Sequence, residues 1–225
     1  MNLMLRKNIV PILMVIIVLT LTSCGKREPK ILIIGDSISL GYTPFVKAHF
    51  SEKAIVTHNP GNAQHSGTGL QKIQEWIGEE DWDIIQFNWG LWDLCYRHPD
   101  SKVQGNRDKL NGTLTYSVED YAANLDSIVT ILKKKTDAKL IFVTTSYVPE
   151  DEAGRFVADT VRYNNAAKSI MKKYACTVND IYAASIPIHK AFGKGIDDVH
   201  YTAQGYEQLS ILVYDFLENE IGSIN

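Results

Sequence analysis

Cysteine is scarce in this chain, with three in 225 residues, and that excludes a scaffold built from disulfides. Metal-binding patterns are missing as well. There is no H-E-x-x-H, and His58, His65, His98 and His189 have no mutual metal spacing, so no metal or cofactor is implied. Basic excess is also absent: 23 Lys and Arg stand against 26 Asp and Glu, for a formal charge of −3, which argues against a nucleic-acid partner. No repeat or low-complexity tract occurs, and past the first two dozen residues no long apolar run appears.

The one such run is at the start. Arg6 and Lys7 precede an uncharged, mostly apolar stretch from Ile9 to Leu21, followed by "LTSCG". That order reads as a secretion signal over residues 1–23, too short for a routine bilayer span. "LTSCG" resembles the lipobox of bacterial lipoproteins, which implies cleavage before Cys24 and a lipid on that cysteine. The expected protein is therefore lipid-anchored in the bacterial cell envelope, at the outer membrane or the periplasmic face. A polar tether spans 24–30, and a single domain spans 31–225. Removing the signal takes two basic and no acidic residues, which leaves 21 against 26 and a charge of −5. Of the remaining cysteines, Cys95 should follow one strand and Cys176 should precede another at the opposite side of the sheet. Two buried, unbridged thiols are expected.

Apolar, β-rich runs alternate with longer helical patterns, the order of a parallel α/β sheet. Strands are expected at 31–34, 54–57, 83–89, 139–145 and 177–181, and helices at 70–77, 122–132, within 155–174, and at 203–217. "LKKKT", 132–136, reads as a helix end with cations on its negative pole. The segment from Tyr96 to Tyr116 fits neither class. It is polar, rich in turn formers and long for a connection, and it follows the third strand at the edge where open α/β sheets bind ligands. It is either a solvated insertion or a lid over substrate.

Two short stretches carry the chemistry. "KILIIGDSISLGY" puts Ser37 at a strand-to-helix turn. A serine there either caps the helix or presents its hydroxyl as a nucleophile beside the free N–H groups of the helix start. No G-x-S-x-G is present, so the α/β-hydrolase elbow is excluded by motif. Near the other end, "GIDDVHYTAQGY" sets Asp197 three residues before His200 ahead of the last helix. A base oriented by a carboxylate is what a serine nucleophile requires.

Together these stretches resemble the SGNH hydrolases, the GDSL-type lipases and esterases. "IIGDSISLGY" is similar to the family's first block and "DDVHYTAQGY" to its last, including the Thr and Gly after the histidine. The resemblance covers nearly all of the mature chain. It implies a three-layer α/β/α sandwich, a flavodoxin-like fold with a five-stranded parallel sheet, and a Ser37–His200–Asp197 triad. The middle blocks depart from the pattern. In "NPGNAQHSGTGL" Gln64 stands where the family has a glycine whose backbone N–H helps form the oxyanion hole. In "DIIQFNWGLWDL" Gly90, Leu91 and Asp93 match, but Trp92 replaces the oxyanion-hole asparagine. The expected oxyanion donors are accordingly the N–H groups of Ser37 and Gln64 with a side chain from Asn88 or Trp92, Asn88 being favoured.

The expected activity is ester hydrolysis through this triad, most simply removal of O-acetyl groups from a glycan or a small-molecule ester. The alternative is a glycan-binding lipoprotein that has lost its oxyanion hole. Nothing in the sequence specifies the oligomeric state.

Overall fold

A computed structural model describes residues 27–224; the signal segment and Cys24 lie outside the described residues. Five parallel strands form the central sheet: β1 (Lys30–Ile34), β2 (Ile55–His58), β3 (Ile84–Phe87), β6 (Lys139–Val143) and β7 (Thr177–Asn179), in the order β2-β1-β3-β6-β7. Two further short strands, β4 (Tyr96–Arg97) and β5 (Thr113–Leu114), pair antiparallel outside it. The helices are α1 (Ser37–His49), α2 (Ser66–Ile77), α3 (Val118–Lys135), α4 (Val157–Lys173), α5 (Tyr182–Phe192) and α6 (Ala203–Ile224). This is the parallel α/β sheet expected from the alternation, in the three-layer, flavodoxin-like form that the family resemblance implies. Among the described residues, no helix is long and apolar enough to cross a membrane.

Strand periodicity divides the core. Successive side chains point to opposite faces, so Leu32, Ile34, Ile85, Phe87, Leu140 and Phe142 pack under α2, α3 and α4. Ile31, Ile33, Ile84 and Ile141 pack under α1 and α6, against Val46, Leu209 and Val213. Because both faces are covered, the strands read as unbroken apolar runs rather than as alternating ones. Two helices were not legible as ranges, α1 and α5. Gly41 and Pro44 interrupt the first and Pro187 the second, and packing overrides those low propensities.

The sheet order switches sides between β1 and β3, and ligands bind open α/β sheets beyond the carboxyl ends of the strands at that point. Loops there are tied together by backbone and amide bonds. Asn59 Oδ1 accepts the Gly35 N–H at 2.9 Å, while the Ala63 N–H donates to the Gly35 carbonyl at 3.0 Å. Gly90 is required in the loop after β3: its φ is +149°, and a Cβ would sit 2.1 Å from Thr145 Oγ1.

The segment 96–116 is ordered. β4 and β5 flank a 3₁₀ turn at Gln104–Asn106, and the Tyr96 and Lys109 N–H groups donate to the carbonyls of Gly154 and Ala153. Both described cysteines are free. Cys95 is buried, but Cys176 is only partly so, because it sits just before the edge strand β7.

Candidate active site

Asp36 settles the role of Ser37 in the helix. Asp36 is the N-cap of α1, and its Oδ1 accepts the Ile38 N–H at 2.9 Å. Ser37 is thus the first residue of the helix, its hydroxyl released from capping. Ser37 Oγ lies 2.9 Å from His200 Nε2, and His200 Nδ1 lies 2.5 Å from Asp198 Oδ1. A carboxylate can only accept, so Nδ1 carries a proton, and in the neutral ring Nε2 is then the bare nitrogen that accepts from the serine.

The acid that meets His200 is Asp198, not Asp197. Asp197 is exposed and has no side-chain partner among the described residues. Asp198 Oδ1 also accepts the backbone N–H of His200 at 2.9 Å, an Asx turn of two-residue reach. That local turn brings the same oxygen to the ring, while Asp197 points to solvent. The preference of Asp for binding the N–H two residues on was the available signal. Partial burial opposes ionisation of Asp198. The hydrogen bonds from His200, with the charges of His200 and Arg107, outweigh it and hold the carboxyl below its usual range. His189 steadies the turn, its Nε2 donating to the Asp198 carbonyl at 2.7 Å.

The oxyanion expectations need revision. Asn88 does not face Ser37: its Nδ2 donates to the Val143 carbonyl at 2.7 Å, tying β3 to β6, and it lines a separate small cavity with Tyr42 and Val143. Nor is the Gln64 N–H free. It donates to Asn62 Oδ1 at 2.8 Å, and Gln64 adopts φ +52°, a left-handed backbone of the kind glycine takes without strain. That bond orients Asn62, whose side chain lines the Ser37 cavity and whose Nδ2 has no partner among the described residues. The Ser37 N–H, at the helix start, has none either. No motif in the second block marks Asn62, so only the folded structure brings it to this cavity. Trp92 does line the cavity, with the Arg97 guanidinium 4.7 Å from its ring centroid.

The cavity has a volume of about 270 Å³ and runs from Ser37 and His200 to Trp92, Arg97, Arg107 and Arg155. The 96–116 segment therefore supplies one wall of it. Beneath, Asp93 braces the loop after β3: its Oδ1 accepts from the Ser66 N–H at 2.9 Å and the Ser66 hydroxyl at 2.5 Å. Burial pushes this carboxyl up to about 7 despite those bonds. His58 and His65 serve loops. His58 bridges Ser39 and the Asn59 carbonyl, and His65 caps α2. Among the described residues no three His, Cys, Asp or Glu side chains gather as a metal would need.

The sequence profile of the GDSL-like lipase/acylhydrolase family matches residues 33–208, the span from β1 to α6 that holds Ser37, Asp198 and His200. The chain belongs to the GDSL-like lipase/acylhydrolase family. Solved structures agree with this GDSL fold. A lipase/acylhydrolase from Enterococcus faecalis superposes with a TM-score of 0.68 at 19% identity, over 85% of this chain and 96% of that one. An acetyl xylan esterase gives 0.64 at 15%, over 84% and 99%. A variant of an acetyl xylan esterase from Geobacillus stearothermophilus gives 0.65 at 19%, over 83% and 93%. No curated protein matches the chain in sequence. Membership of this family makes the chain a carboxylic ester hydrolase.

Proposed function

We propose that the protein is a serine esterase that removes acetyl groups from a carbohydrate, with Ser37 as nucleophile, His200 as base and then acid, and Asp198 as its orienting carboxylate. One observation carries the reading: a continuous Ser37–His200–Asp198 hydrogen-bonded relay, opening into a cavity at the carboxyl edge of the sheet. Ser37 Oγ attacks the ester carbonyl as Nε2 takes its proton. Asp198 stabilises the imidazolium, and the proton passes to the departing alkoxide. Water then repeats the sequence on the acyl-enzyme. The unspent Ser37 N–H and the Asn62 amide are the donors assigned to the oxyanion.

A short acyl group suits a cavity of about 270 Å³ in which Leu91, Trp92 and Val199 supply a limited apolar wall beside three arginines. The acetyl xylan esterases among the structural neighbours support the same direction by likeness of fold. The alternative of a non-catalytic glycan binder draws on Trp92 standing where the family has asparagine. Binding alone, however, gives no reason for a serine hydroxyl aligned on an unprotonated imidazole nitrogen.

The test is labelling by a serine-directed fluorophosphonate together with turnover of p-nitrophenyl acetate. Wild type should label and turn over, while Ser37→Ala should do neither, losing several orders of magnitude in kcat. A folded wild type that binds glycans but neither labels nor hydrolyses any ester would hand the site to the binding reading. With lipid on Cys24 the labelled protein should fractionate with membranes, and Cys24→Ala should release it.

A further inference from the structure

Beyond the relay, the cavity is lined by more positive charge than its own carboxylates neutralise. Arg97, Arg107 and Arg155 all face it. Glu152, fully buried, is shared by two of them: Arg107 and Arg155 both donate through Nη1 to its Oε1. Arg97 makes no ion pair among the described residues. The other carboxylate at the rim, Asp198, is committed to His200. Asp36, below, is buried and held toward its neutral form chiefly by desolvation.

Each guanidinium is also fixed in place with N–H groups left over. Arg155 donates through Nε to the Leu91 carbonyl at 2.6 Å, Arg107 through Nε to the Gln104 carbonyl at 3.0 Å, and Arg97 through Nη1 to the Gly105 carbonyl while lying over Trp92. On all three, Nη2 has no protein partner among the described residues. Holding partly desolvated guanidinium groups without matching carboxylates is costly, and planar forks with open N–H groups are what carboxylates and phosphates bind in pairs.

Resting on the esterase reading of the same site, we infer that the substrate is an ester carrying a carboxylate or phosphate near the scissile bond, held by Arg97, Arg107 and Arg155. The 96–116 segment contributes two of these residues and so sets specificity as well as shape. An uncharged acetylated sugar leaves their open N–H groups to water alone and is the poorer substrate.

Three matched acetyl esters, differing only at C6 of a methyl glucoside as hydroxymethyl, carboxylate or phosphate, give the test. For the wild type, kcat/KM should favour at least one anionic ester by about tenfold or more, chiefly through KM. Whether carboxylate or phosphate leads identifies the group. In Arg97→Gln that preference should fall toward unity. Equal turnover of all three, a preference for the neutral ester, or a preference unchanged in Arg97→Gln would each overturn the inference. So would hydrolysis of p-nitrophenyl acetate with none of the three sugars. If no ester is hydrolysed and no phosphonate label appears, it is the esterase reading that has failed. Calorimetric titration with methyl glucuronide and methyl glucoside then reads the arginine cluster by itself: tighter binding of the glucuronide supports it, and equal or absent binding refutes it.

Discussion

Replacing Asp198 by asparagine keeps the size of the side chain, removes its charge and turns one acceptor oxygen into an N–H donor, at the carboxylate that meets the imidazole. During attack His200 becomes a cation, with its Nδ1–H pointing at Asp198 Oδ1 over 2.5 Å. Both side chains are about one-third exposed, at 34% each, so the surrounding dielectric is that of a protein surface rather than of a dry interior. Two unit charges about 4 Å apart at an effective dielectric of about 20 interact by roughly 4 kcal/mol, and each 1.36 kcal/mol is tenfold in rate. Asp198→Asn should therefore lower kcat on p-nitrophenyl acetate by about 10³, with KM nearly unchanged and an unaltered circular dichroism spectrum. Asp197→Asn is the matched control. Its side chain is exposed and touches neither Ser37 nor His200, so water and salt screen it and the loss should stay below about threefold. A large loss in Asp197→Asn combined with less than tenfold in Asp198→Asn would refute the assignment and the turn geometry behind it.

Two further substitutions separate chemistry from packing at the oxyanion side. Asn62→Ala should cost about 10²–10³ in kcat with little change in KM, whereas Asn88→Ala should keep kcat within about tenfold but lose about 1–3 kcal/mol of stability in urea unfolding, because the Val143 carbonyl loses its amide. The reverse ranking would put Asn88 at the oxyanion. Asp93 provides a pH signature. Its carboxyl is raised to about 7 by burial, so the folded state holds the proton more tightly than the unfolded chain. The stabilisation is full below about pH 4 and is lost as pH rises through 7, at about 1.4 kcal/mol per pH unit in between. Urea unfolding of Asp93→Asn should show wild type losing ground to the variant across that range, and parallel pH profiles would contradict the raised value.

The sheet was legible because its strands are buried on both faces. Runs such as "KILII" and "KLIFV" are short and rich in branched apolar residues, and alternate with helical periods, which is enough to expect parallel strands but not their order in the sheet. Ser37 and His200 were legible for a related reason: they sit in loops at the two ends of that alternation, where topology brings first and last together. α1 and α5 escaped as ranges because their prolines weaken the local signal and only packing on the sheet restores the helix. The same limit applied to the 96–116 segment, whose polar composition fits a surface insertion and a site wall equally well.

Sequence by itself determined the strand periodicity, the parallel sheet, the family blocks and the two residues, Ser37 and His200, that spacing places at one edge of the sheet. What only the tertiary structure decided were choices between near neighbours. Asp198 displaced Asp197 because one hydrogen-bonded turn reaches the ring. The Gln64 N–H and the Asn88 amide are already spent on Asn62 Oδ1 and the Val143 carbonyl, while Asn62 lines the cavity beside Ser37. Three arginines separated by up to 58 positions in the chain came to share one cavity. Each of those outcomes depends on where a donor or acceptor finds its partner in three dimensions, and a linear pattern holds no record of which hydrogen bonds have already been made.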